Sequence, residues 1–93
     1  MTEKYKKEID DLFELISSID NKEDCRKLFN DLCTFKEIEQ MALRISAAKL
    51  LLEGKTYQQV TEVCDISSAT LSRVSRCVRY GEGYKEFLKK DSN

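Results

Sequence analysis

Apolar residues recur near the start of the chain at Ile9, Leu12, Phe13, Ile16 and Ile19. Steps of three and four place these side chains on one face of an α-helix, with Asp10, Asp11 and Glu14 turned away from it. Asp20-Asn21 interrupts the pattern and supplies an N-cap, after which Cys25, Leu28, Phe29 and Leu32 form a second stripe ending near Cys33. Thr34-Phe35-Lys36-Glu37 has the spacing of a capping box, in which hydroxyl and carboxylate each satisfy an orphan amide hydrogen. The third predicted helix therefore starts at Phe35 and runs through Ile38, Met41, Ala42, Ile45, Ala48, Leu51 and Leu52 to Glu53. Gly54 stands where a left-handed residue ends a helix.

Thr56-Tyr57-Gln58-Gln59 repeats the capping-box logic and opens a helix of about two turns, with Val60, Val63 and Cys64 as its inward positions. Asp65-Ile66-Ser67 reads as a tight turn. Ser67 or Ser68 then caps a helix from about Ser68 to Tyr80, closed by Gly81 and Gly83, and Tyr84 to Leu88 adds a last short helix before a polar tail. The expected architecture is all-α, a single domain over residues 1–93 with no internal repeat and no linker.

Composition agrees with this and narrows the chemistry. The 93 residues include 35% charged and 41% apolar side chains, three glycines and no proline, too few turn formers for a sheet architecture. Histidine is absent, which removes the commonest general base, the imidazole-dependent triads and every histidine-containing zinc site. Cys25, Cys33, Cys64 and Cys77 form no CxxC pair and lie in apolar surroundings, so they read as buried reduced thiols of a cytoplasmic protein. No metal site, cofactor or enzymatic activity is expected. The acidic, polar N-terminus does not read as a signal peptide, and no apolar run is long enough for a membrane.

The formal net charge is only −1, from 16 basic and 17 acidic residues, but it is unevenly spread. Residues 1–34 carry six basic against nine acidic side chains, whereas residues 35–93 carry ten against eight. Between Ile66 and Gly81 stand Arg73, Arg76 and Arg79 without a single acid, a local basic stripe on an acidic protein.

Two short helices joined by a three-residue turn, the second rich in Ser, Thr and Arg, have the form of a helix-turn-helix over residues 56–80. At about 100° per residue, Leu71, Val74 and Val78 share an arc of about 60°. Ala69, Ser72, Arg73, Arg76 and Arg79 lie on the opposite side. One face packs and the other is presented. Small residues at its N-terminal end, Ser68, Ala69, Thr70 and Ser72, allow close approach to base edges of double-stranded DNA, while the arginines reach phosphates or guanine.

The residues Leu32-Cys33-Thr34, Glu37, Arg44, Leu50-Leu51, Gly54, Gln58 and Ala69-Thr70-Leu71-Ser72-Arg73 resemble the Trp-repressor superfamily, with one residue fewer in or near the turn. Asp31-Leu32-Cys33-Thr34, Met41-Ala42, Ala48-Lys49-Leu50-Leu51, Thr56-Tyr57, Ala69-Thr70 with Ser72-Arg73-Val74, and Tyr80-Gly81 resemble its YerC/YecD branch more closely still. The resemblance covers about residues 9–88. It implies an intertwined homodimer of a multi-helix Trp-repressor-like fold, with residues 9–53 forming the dimerisation helices and 84–88 a C-terminal helix. Each helix-turn-helix would read half of a two-fold operator, with Gln58 joining Ser68, Ala69, Thr70, Ser72, Arg73, Arg76 and Arg79 as DNA contacts.

The same resemblance marks a candidate effector site at Thr34, Arg44, Arg73 and Cys77, where the tryptophan-binding repressor holds its ligand. Val74 replaces the glycine that leaves room for an indole, and Cys77 replaces a serine that holds the amino group. L-tryptophan is therefore not the expected effector. DNA binding is either ligand-independent or answers to a smaller molecule, and Arg44 reads equally well as a ligand for a different small anion or as a surface or interdomain arginine anchoring the preceding helix. The competing reading of the whole chain is a helical adaptor that binds protein through its acidic first helices and no DNA at all.

Overall fold

The computed structural model describes residues 3–88, and they form six helices. These are α1 (Lys6–Ser17), α2 (Lys22–Leu32), α3 (Phe35–Leu52), α4 (Tyr57–Val63), α5 (Ser68–Tyr80) and α6 (Gly83–Leu88). The fold is all-α. The chain divides into two compact units, Met1–Phe35 and Lys36–Asn93.

In the first unit, α2 is capped by Asn21, whose side-chain oxygen accepts the Asp24 N–H at 2.8 Å. Neither α1 nor α2 contains a buried residue. Ile9, Leu12, Ile16 and Ile19 are half-buried, whereas Phe13, predicted on the same inward stripe, is 61% exposed. Leu15, Leu32 and Phe35 are also exposed.

The second unit contains the core: Ala47 and Ala48 of α3, Val60 of α4, Cys64, and Leu71 and Val74 of α5. Leu50, Leu51, Ile66, Val78, Tyr84 and Leu88 pack against it. Fully burying side chains such as Val60, Leu71 and Val74 contributes about 1.5–3 kcal/mol each. Two adjacent alanines at 0% exposure keep α3 thin where α4 and α5 lie against it.

α3 ends in a Schellman motif. Gly54 adopts φ +95°, its N–H donates to the Leu51 carbonyl at 3.0 Å, and the Lys55 N–H donates to the Leu50 carbonyl at 3.1 Å. The Thr56–Gln59 capping box is formed in both directions, at 3.1 Å to the Thr56 hydroxyl and 2.9 Å to the Gln59 amide oxygen. α5 is capped by Ser67, whose hydroxyl accepts the Thr70 N–H at 3.1 Å, and Ser68 is already helical.

Several expectations are corrected. Val63 is 71% exposed because Val60 and Cys64, one turn apart, occupy the packed face of so short a helix and leave Val63 a quarter-turn outside it. Ala42 and Ile45 of α3 are exposed too. Of the four free cysteines only Cys64 is buried, and Cys25, Cys33 and Cys77 are half-buried. α3 stops at Leu52 and α6 begins at Gly83, each one residue from the predicted boundary. The predicted tail from Lys89 lies outside the described residues.

Candidate nucleic-acid interface

Thr56 to Tyr80 forms the predicted pair of helices, with Cys64 to Ser67 between them. Its geometry rests on the core. Leu71 and Val74 are each 1% exposed and pack with Val60 and Cys64, which fixes α5 by one face against α4 and α3. Ser68, Ala69, Ser72, Arg73, Arg76 and Arg79 are all exposed on the other side. α5 carries no acidic residue in its first turn, and none of its three arginines is in an ion pair among the described residues. A row of cations without internal partners is available to an external polyanion.

Two of the predicted contact residues are placed less simply. Thr70 is half-buried, and its hydroxyl oxygen accepts a hydrogen bond from Ser67 at 3.0 Å. The Thr70 hydroxyl is thereby oriented while its own proton stays available. Gln58 is exposed on α4, and the capping role falls to Gln59, so the Gln58 side chain has no part in the cap.

The candidate effector residues come from separate elements. Thr34 is exposed at the α2–α3 junction, Arg44 half-buried on α3, Arg73 exposed and Cys77 half-buried on α5. Val74, one residue from Arg73, belongs to the core. Sequence reading missed Ser75, which is 8% exposed within α5. Its angular position beside Leu71 and Val78 was the available signal, obscured because the other serines of α5, Ser68 and Ser72, lie on exposed positions.

The sequence of residues 7–92 matches the family model described as Trp repressor protein. The chain belongs to the Trp repressor family. Uncharacterized protein YerC of Bacillus subtilis (strain 168) is 45% identical over 75 residues, spanning 81% of this chain and 72% of that protein. The fold is shared with a TrpR like protein from Eubacterium eligens ATCC 27750, at a TM-score of 0.86 and 34% identity over 96% of this chain and 94% of that one. A Staphylococcus aureus protein solved under the provisional name Trp repressor gives a TM-score of 0.85 at 32% identity, covering 98% of this chain and 96% of its own. The resemblance read from the sequence motifs is thus the family of the chain, and near-complete coverage on both sides extends it to every helix.

Proposed function

We propose that this Trp repressor family member is a cytoplasmic, homodimeric transcriptional regulator, a repressor, that reads a two-fold operator in double-stranded DNA through residues 56–80. The observation that carries the reading is the division of α5, with Leu71 and Val74 sealed in the core and Arg73, Arg76 and Arg79 exposed and unpaired among the described residues. Ser68, Ala69, Thr70, Ser72 and Gln58 face base edges or nearby phosphates, and the arginines take phosphates or guanine. Residues 1–93 act as one Trp-repressor-like domain in the dimer, with 9–53 supplying the dimerisation helices and 84–88 the C-terminal one. The exposed apolar side chains Phe13, Leu15, Leu32 and Phe35 support a partner subunit as their cover. Thr34, Arg44, Arg73 and Cys77 remain the candidate effector residues, with no cofactor or metal in the reading.

The deciding experiment selects bound sequences from random duplex DNA and measures retardation of the selected operator. The native chain should bind with a salt-dependent affinity, and the triple variant Arg73→Ala, Arg76→Ala, Arg79→Ala should lose most of it. Each lost phosphate contact should flatten the salt slope by about one unit, and each lost base contact should cost about 1–3 kcal/mol at one operator position. A folded triple variant with unchanged affinity and salt slope overturns the assignment. Failure of the native chain to retard any duplex favours the adaptor reading, for which the same exposed apolar residues of α1 and α2 would be the contact surface.

A further inference from the structure

A cleft of about 370 Å³ opens on the flank of α5 that faces the α3–α4 turn. Leu51, Gly54, Lys55, Thr56, Tyr57, Ser75, Val78 and Arg79 line it. It shares no residue with the set Thr34, Arg44, Arg73 and Cys77. At about 100° per residue, Ser75 lies beside Val78 on the packed face of α5, and Arg79 stands at the border between that face and the exposed one, about 120° round from Arg73.

The lining is chemically one-sided. Lys55 and Arg79 are exposed cations, no carboxylate contributes, and Leu51 and Val78 add half-buried apolar side chains to the lining. Thr56 is engaged in the capping box. Ser75 is 8% exposed, and its hydroxyl has no hydrogen-bond partner among the described residues. Among the described residues no unpartnered side-chain oxygen or nitrogen is sealed from solvent, so the Ser75 hydroxyl keeps some solvent contact in a residue that lines the cleft. A serine inside a helix can return its proton to a carbonyl one turn back; Ser75 does not, so its hydroxyl is a donor open to water or to a bound molecule.

We propose that this cleft binds a small organic anion, a carboxylate or phosphate on an apolar body, and that the bound anion opposes DNA binding. Lys55 and Arg79 neutralise the charged group, Ser75 donates to it, and Leu51 and Val78 take the apolar part. Arg79 is the residue shared by the cleft and the exposed arginine row of α5. A phosphate of DNA and an anion in the cleft compete for one guanidinium, so each weakens the other by the same factor. The antagonism rests on the DNA-binding reading above, whereas occupation of the cleft does not.

Phenyl phosphate is a suitable probe, titrated into the full chain at constant ionic strength with sodium sulfate as the reference salt. Backbone amide signals of Gly54, Lys55, Tyr57 and Ser75 should shift saturably with phenyl phosphate. Lys55→Gln and Ser75→Ala, which leave the arginine row intact, should each weaken this binding about ten-fold. Absence of saturable shifts, equal response to sulfate, or unchanged affinity in both variants overturns the site. With selected operator DNA bound, phenyl phosphate affinity should fall about ten-fold or more; unchanged affinity overturns the antagonism. If no DNA is ever bound but phenyl phosphate still saturates the cleft, the regulator reading fails and the cleft stands.

Discussion

An alanine at position 81 would set its Cβ 2.7 Å from the Cys77 carbonyl oxygen, which already accepts the Gly81 N–H at 2.8 Å. The backbone there, φ −88° and ψ −178°, is open to any residue, so the need for glycine is purely one of space. Gly81→Ala is expected to destabilise the chain by about 1–3 kcal/mol, read as a lower urea midpoint at unchanged slope. An unmoved midpoint would show that the last turn of α5 yields freely. Val74 poses the opposite problem, because its side chain fills space. Val74→Ala should cost about 1–3 kcal/mol through lost burial and the cavity left behind. With native Val74 in place, calorimetric titration with L-tryptophan should give no heat of binding. A micromolar dissociation constant would refute the steric exclusion.

At the scale of the element, α4 is too short to persist alone and depends on its cap and on burial of Val60 and Cys64. Thr56→Ala removes the hydroxyl that accepts the Gln59 N–H and should cost about 0.5–2 kcal/mol. Hydrogen exchange at the Val60 and Cys64 amides, which donate to Thr56 and Val60 carbonyls, should report the loss locally. Gln58→Ala is the matched control, since Gln58 stands outside the capping box. It should leave those amides protected and weaken operator retardation. The reverse pattern would mean that Gln58 is structural and makes no contact with DNA. α5 differs from α4 in having a sealed face over its whole middle, which lets its opposite face carry three arginines without loss of order.

For the whole molecule, the informative contrast is between a unit with a sealed core and one without. Every fully buried apolar residue in the described chain falls between Ala47 and Val74. α1 and α2 keep their amphipathic stripes half-covered at best. A second subunit is the proposed cover, and sedimentation at micromolar concentration should give a single species of twice the 10.8 kDa chain mass. A stable species at 10.8 kDa would refute the homodimer. The net charge of −1 per chain gives the protein no general attraction for DNA, so its proposed affinity should come from the arginine row and fall steeply with salt.

Helix number, most helix boundaries, the Asn21, Thr56 and Ser67 caps and the role of Gly54 were legible in the sequence, because each depends on residues within one or two turns of chain. The two faces of α5 were legible for the same reason: a helix with Leu71, Val74 and Val78 on one side can present Arg73, Arg76 and Arg79 only on the other. Whether a stripe is actually covered depends on what lies opposite it, which spacing does not record. Val63 and Phe13 were therefore misjudged, Cys64 alone among the cysteines proved buried, and the cleft between the α3–α4 turn and Ser75 had no sequence signature. Local hydrogen bonding and periodicity belong to the chain; burial and cavities belong to the packing of one element against another, and only the tertiary structure decides them.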